Sequence, residues 1–208
     1  MPTQIKGMTA GSNLDWKFSD PYGEWGGFAN GETSNDLDVG GAIENDLYFS
    51  QILIATGYNF DIPAWATIDG VDVVVERAAD VADAVQDAVV QLVLNGTRTG
   101  NDKKNTSVKW PTSDANASYG GPADKWGNTL TPQIVNSNDF GLAIAGEFIE
   151  SYSVPLQDVF LTIDLISIEI TYTDATCGGY IDGDITRCYY GSSDVRKIYH
   201  GSNLIAGQ

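Results

Sequence analysis

The side chains best suited to nucleophilic or metal chemistry lie near the C-terminus: Cys177, Cys188 and the only histidine, His200. A catalytic triad needs a nucleophile, a base and an orienting acid within hydrogen-bond reach. His200 instead lies within a Tyr-His-Gly-Ser turn motif. Zinc sites favour short spacings such as Cys-x-x-Cys, which this chain lacks. We therefore predict a non-enzymatic protein with no catalytic residue, metal site or cofactor, and interpret His200 as a surface or interface residue.

The two cysteines leave two redox states open. A reduced pair is expected for a protein made in a cytoplasm, whereas Cys177 and Cys188 lie close enough in sequence for a local disulfide.

Acidic residues are abundant, and two short segments have the composition of calcium-binding loops. Asp182-Gly-Asp184 and Asn35-Asp-Leu-Asp38 offer the oxygen ligands that calcium prefers, but neither has the full spaced loop pattern. Asx turns explain the same residues. A carboxylate pair could also cleave glycosidic bonds, but among 28 acidic residues the sequence selects no pair.

Aromatic side chains are the candidates for binding a partner. Three of them share the polar segment 100–129, where exposed rings could bind glycans or, alternatively, pack the segment onto the domain. Others lie in residues 1–45 and in the tail, where they need burial on the domain itself or on a neighbouring subunit. The candidate interaction residues are Trp16, Phe18, Trp25, Phe28, Trp110, Tyr119, Trp126, Tyr189 and Tyr199.

Net charge excludes two classes of partner. The formal charge of −17 would repel nucleic-acid phosphates and anionic membrane surfaces. No segment approaches the about 18 consecutive apolar residues of a membrane span. The first ten residues contain no apolar core of a signal peptide, so we expect no secretory signal.

The elements that must position these residues are strands. Residues 47–56, 68–76, 88–94, 140–145 and 161–172 are rich in β-branched residues or alternate apolar with polar or small ones. The clearest is the last, where the alternation reverses phase between Leu165 and Ile166. Such a reversal predicts a bulge or bend, because a slip of one residue moves every side chain to the other face. On 140–145, Gly141, Ala143 and Ala145 form a face of small residues, which predicts close packing there.

Three further segments are less regular. Residues 1–45 show no period and are interpreted as an extended arm or long loops around one or two short strands. Residues 78–87 fit a loop or one helical turn, and 100–129 is a long polar excursion. Thr131 and Pro132 predict a short helical turn at 130–134.

The tail contains a ten-residue repeat, in which residues 185–194 align with 195–204. Both copies begin with a β-branched residue, have a basic residue at the third position and tyrosine at the fifth, and continue with Gly-Ser at the seventh and eighth. Each copy predicts a short strand followed by a Gly-Ser turn. Two such units cannot bury a core, so we expect them to pair and to dock elsewhere.

Several segments in order resemble a jelly-roll-like module of tailed-bacteriophage virion proteins: 50–63, 66–77, 90–97, 126–132, 139–144 and 164–172. Trp126-Gly-Asn-Thr-Leu-Thr-Pro132 is one example. The resemblance covers roughly 45–173, and the Tyr-x-Gly-Ser repeat is similar to short C-terminal units of phage structural proteins.

The resulting expectation is an all-β protein: an N-terminal arm (1–45), a jelly-roll-like antiparallel β-sandwich (46–173) and a small C-terminal β-appendage (174–208). The resemblance implies a virion protein made in the host cytoplasm. The preferred role is that of a capsid decoration or cement protein on the exterior of the head. Its partners would be the major capsid protein or other virion proteins and copies of itself. The alternative is a tail or head fibre component that binds host glycans.

Overall fold

The computed structural model describes residues 1–14, 39–43, 49–149 and 159–174, together with strands between residues 180 and 207. The chain divides into two compact units, Met1–Thr173 and Asp174–Gln208. The first unit contains strands β1 (Thr3–Gly7), β2 (Ala10–Leu14), β3 (Val39–Ile43), β4 (Ile52–Thr56), β5 (Thr67–Ala79), β6 (Val85–Leu94), β7 (Thr97–Thr99), β8 (Ala115–Gly121), β9 (Gly141–Phe148) and β10 (Val159–Thr173).

These strands form two antiparallel sheets. Sheet A has the order β1-β10-β5-β8, with β3 also paired to β10, and sheet B has the order β2-β4-β9-β6-β7. Numbered along the chain without β2 and β3, the other eight strands give the orders 1-8-3-6 and 2-7-4-5. This is the strand order of a jelly roll, so the predicted fold class is confirmed.

The inner faces of the two sheets build one apolar core. Alternate residues of the central strands point into it. Burying one aliphatic side chain fully contributes about 1.5–3 kcal/mol, so this burial is the main stabilising contribution to the fold. Representative members are Leu53, Val73, Val75, Val90, Leu92, Leu142, Ile144, Leu161, Ile166 and Ile168.

The predicted phase reversal in the last strand is confirmed as a β-bulge. The register of β10 against β5 shifts between Ile163 and Leu165, so Asp164 is the extra residue. Ile163 is buried before the shift and Ile166 after it, on the same side of the sheet. The bulge therefore keeps the apolar side chains of this 15-residue strand in the core over its whole length.

Sheet B is also buried on its outer face. Ile52, Val89 and Val93 form a second apolar cluster there with Ala143 and Ala145, each at most 1% exposed. The prediction that the small residues of the 140–145 strand mark close packing is therefore confirmed.

Two segment assignments change. Residues 1–14 and 39–43, expected in an arm, supply strands to both sheets of the first unit. Strand β6 begins at Val85, within the segment expected to be a loop or helical turn. A register shift between Asp87 and Val89 interrupts its alternation, which is why the sequence pattern did not reveal the strand's beginning.

The short helix is confirmed as α1 (Pro132–Val135). The side chain of Thr131 caps it by accepting a hydrogen bond from the Ile134 amide, and Pro132 occupies the first turn.

The second unit consists of hairpins. Its strands are β11 (Tyr180–Asp182), β12 (Ile185–Arg187), β13 (Tyr189–Tyr190), β14 (Ser193–Asp194), β15 (Lys197–His200) and β16 (Asn203–Gly207), paired in sequence as three antiparallel pairs. The expectation that the two repeats pair with each other is wrong for the described strands. Tyr190 pairs with Ser193 and His200 with Asn203, so each repeat forms its own two-stranded sheet on either side of its Gly-Ser dipeptide. The pair β11–β12 is a third antiparallel pair, which the ten-residue pattern did not predict because the sequence between its strands is Gly-Asp and not Gly-Ser.

Candidate functional site

The most connected polar group of the described residues is Asp87, at the bulge of β6. Its Oδ1 forms an ion pair with Arg77 and accepts a hydrogen bond from Trp110 Nε1 at 2.9 Å. Its Oδ2 accepts from the Tyr119 hydroxyl and from the Asn105 amide, each at 2.9 Å. We call these five residues the Asp87 network.

The network joins both sheets. Arg77 comes from β5 and Tyr119 from β8 in sheet A, whereas Asp87 comes from β6 in sheet B. Arg77 lies over the Trp110 ring, 4.8 Å from its centroid, and its Nη1 is 2.6 Å from the Tyr119 hydroxyl oxygen. Burial raises the pKa of Tyr119, so its hydroxyl stays protonated and donates to Asp87.

The chemistry of this arrangement is that of a fixed crosslink. The Asp87 side chain is fully buried and that of Arg77 is 3% exposed. Each oxygen of Asp87 already accepts two hydrogen bonds, so the carboxylate is saturated by the protein's own donors. This network fixes the two sheets and the loop that carries Asn105 and Trp110 in position relative to one another.

The loop after β7 is attached to β6 by backbone contacts as well. The Lys103 amide donates to the Val90 carbonyl at 2.7 Å, and the Trp110 amide donates to the Val85 carbonyl at 2.9 Å. Asp102 accepts from the Val90 amide at 2.9 Å. Residues 100–110 therefore lie along the edge of β6.

The three aromatic candidates of segment 100–129 are core residues. Trp110, Tyr119 and Trp126 are 1%, 6% and 0% exposed. Trp126 Nε1 donates to the Val71 carbonyl at 2.9 Å. The hypothesis that these three rings are exposed for glycan binding is therefore wrong, because the protein's own core covers them. The alternative, that they pack segment 100–129 onto the domain, is confirmed.

Segment 100–129 also contains a strand that sequence reasoning missed. Strand β8 has the sequence Ala-Asn-Ala-Ser-Tyr-Gly-Gly, which lacks β-branched residues. It pairs with β5 along its whole length. Backbone pairing to a strong neighbour is enough to hold a strand of low intrinsic propensity.

The other candidate interaction residues have less structural context. Trp16, Phe18, Trp25 and Phe28 lie outside the described residues, as do Cys177, Cys188 and the Asn35–Asp38 segment. Tyr189 and Tyr199 lie in β13 and β15, where only the backbone is described.

The outer face of sheet A carries carboxylates that the sequence did not single out. Asp72 on β5 lies directly opposite Glu169 on β10. Partial desolvation and the like charge of Glu169 raise the pKa of Asp72. Glu76 lies on the same face of β5, four residues further along, with Val74 between the two carboxylates. The sequence did contain a signal for this face, because Asp72, Glu76 and Glu169 occupy the outward positions of two alternating strands.

A few large apolar side chains are exposed on the same unit. Phe160 on β10 and Ile5 on β1 are 56% and 62% exposed, and both lie on the outer face of sheet A. Trp65 and Val108 lie in loops and are 52% exposed. Single exposed apolar residues are common, so exposure alone assigns no role to these side chains.

Within the described parts of the chain, no group of three or more His, Cys, Asp or Glu side chains could hold a metal ion. The same residues include no helix that is long and apolar enough to cross a membrane.

No protein-family model matches the chain, and no curated protein matches it.

Proposed function

We propose that this chain is a virion structural protein of a tailed bacteriophage, acting as a decoration or cement protein on the exterior of the head. Support comes from the resemblance of segments between 45 and 173 to virion jelly-roll modules and from the similarity of the tail repeat to units of phage structural proteins. The proposed partners are the major capsid protein, other virion proteins and further copies of this chain.

The observation that carries the proposal is the division into a crosslinked jelly roll and a separate unit of three short hairpins. The pair β13–β14 joins only two residues of each strand. Hairpins of this size are marginal in isolation, so a partner surface would stabilise them. The jelly roll then serves as a stiff body, and the hairpin unit serves as its attachment.

The mechanism follows from surface burial. Exposed apolar residues such as Phe160 and Ile5 would be covered by the shell or by neighbouring copies. Each contact between subunits adds to the work needed to separate them under internal pressure. The excess of carboxylates, giving a net charge of −17, would face solvent and keep the decorated particles apart.

An add-back experiment tests this role. Particles produced without this protein are mixed with the full chain or with a chain that ends at Thr173, and genome release is followed during heating and at low salt. We expect the full chain to bind the heads and raise the release temperature, and the shortened chain to remain in solution. Equal stability of bare and decorated particles would contradict the proposal.

The glycan-binding fibre alternative has lost the residues on which it depended, because Trp110, Tyr119 and Trp126 are buried. Selective binding on a glycan array by the full chain would restore it.

A further inference from the structure

Among the described strands, β8 forms one edge of sheet A and pairs with β5 alone. Its inward side chain, Tyr119, is buried, whereas Asn116, Ser118 and Gly120 are exposed. The strand therefore presents one side of its backbone to the outside.

The hydrogen bonds around β5 identify which backbone groups point outward. The Val71 amide donates to the Asp124 carbonyl, just after β8, and the Ala79 amide donates to the Pro111 carbonyl, just before β8. The backbone N–H and C=O groups of the odd-numbered residues of β5 therefore point toward β8. There, Val73 lies opposite Tyr119 and Val75 opposite Ala117.

In an antiparallel ladder, a directly opposed pair either exchanges both hydrogen bonds or none, in alternation. Ala117 and Tyr119 consequently bond to β5, and the N–H and C=O groups of Asn116 and Ser118 point away from the sheet. None of the described residues bonds to them on that side. The edge offers four backbone groups in the spacing that another strand requires.

This edge lacks the features that usually protect one. Natural edge strands often carry lysine or another charged residue, or a proline, and these features prevent unwanted pairing. Strand β1 contains Lys6, and β7 is only three residues long and contains Arg98. The seven residues of β8 include no charge and no proline, so its edge is open to an added strand.

The outer face beside β8 is acidic. Glu76 lies opposite Asn116 and Asp72 opposite Gly120. The Cβ position of Gly120 is taken by the Val71 carbonyl and the Trp126 indole. Ser118, however, lies opposite Val74, between the two carboxylates on β5. Its side chain is short, so a long side chain on an added strand can cross β8 there and approach Asp72 and Glu76. The elevated pKa of Asp72, caused by desolvation and by Glu169, indicates that a nearby cation would relieve an existing cost.

Charge also discriminates between occupants. A second copy would bring its own Asp72 and Glu76 to the same face, and each chain carries a net charge of −17. A basic segment would be attracted by both the local carboxylates and the whole molecule.

We propose that the free edge of β8 binds an extended segment of a partner protein by strand addition, with lysine or arginine on the side facing Asp72 and Glu76. Backbone hydrogen bonds to Asn116 and Ser118 hold the segment, and the carboxylates select its charge. This inference rests on the edge itself and does not require the virion assignment.

The test uses the full chain labelled with nitrogen-15 and a short capped peptide in which lysine alternates with valine. We expect amide shifts at Asn116 and Ser118, binding that weakens with salt, and none with a peptide carrying glutamate in place of lysine. Ser118→Pro removes an outward N–H without touching the β5 ladder, as proline is tolerated at such edge positions. It should weaken binding about tenfold or more, that is by at least about 1.4 kcal/mol.

Matched variants separate the proposal from loss of fold. Ser118→Ala keeps the N–H and should bind like the original chain, whereas Asp72→Asn and Glu76→Gln together should weaken binding without altering the edge backbone. Equal binding by Ser118→Pro and Ser118→Ala would overturn the proposal, as would absence of binding by the lysine peptide. A dimer of the free protein that Ser118→Pro dissociates would assign the edge to a second copy and overturn the proposed occupant.

Discussion

Asp87 is the single residue on which most of the described polar structure converges. Replacing it with alanine leaves the Arg77 guanidinium buried without its counter-charge and removes the acceptor for Trp110 and Tyr119. Loss of one member of a buried pair costs about 3–5 kcal/mol. We expect Asp87→Ala to lower the free energy of unfolding by that amount in urea denaturation.

Asp124→Asn provides the control for Asp87. Asp124 forms its ion pair with Lys103 at 2.6 Å on the surface, where both side chains are about one-third exposed. Such pairs contribute about 0–1 kcal/mol. If the two variants lost the same stability, the Asp87 network would not be the crosslink described above.

Tyr58 is the opposite case, because its hydroxyl is buried without a hydrogen-bond partner among the described residues. Burial raises its pKa, so the hydroxyl is neutral and still carries a desolvation cost. Tyr58→Phe keeps the stacking on Phe60 and should leave the melting temperature unchanged or raise it. Tyr119→Phe, which removes a bridging hydroxyl, should lower it. A destabilised Tyr58→Phe would show that the hydroxyl does have a partner.

At the scale of strands, the cross-strand pair of Asp72 and Glu169 should make stability depend on pH. Folding raises the pKa of Asp72, so its ionised form disfavours the native state. The cost is absent below the unfolded-state carboxyl pKa, about 4, and appears as pH rises through the folded-state value. Asp72→Asn should therefore raise unfolding stability at pH 7 by a few tenths to about 1 kcal/mol, and this difference should vanish in strong acid.

Glu76→Gln is the control for that measurement, because Glu76 faces Leu165 and Asn116 instead of a carboxylate. A gain in Glu76→Gln equal to that in Asp72→Asn would attribute the effect to net charge alone.

Strands are also the scale at which sequence reasoning succeeds and fails. The alternation in β5 and β10 predicted both strands and the bulge, because each buries one face over many residues. Strand β8 was missed because its small and polar residues carry no pattern, and its pairing is supplied by β5. The Asp87 network was missed as well, because the side chains that meet there come from distant positions. The available signal was Arg77, a single basic residue near the end of a valine-rich strand.

At the scale of the whole molecule, the two units should be separable. The jelly roll contains its own core within Met1–Thr173. A chain ending at Thr173 should therefore keep a cooperative thermal transition close to that of the full chain, as measured by circular dichroism. Loss of the transition would mean that residues 174–208 are needed for the core. The jelly roll and the hairpin unit could then not have the separate roles proposed for them.

If this jelly roll acts by contacts on the outside of a phage head, its place on the particle decides the matter. The measurement is a reconstruction of particles from a phage that encodes this chain. We expect density for the jelly roll on the outer surface of the capsid, in a copy number fixed by the symmetry of the shell. Absence of the chain from purified particles, or its confinement to the tail tip, would rule out the proposed role.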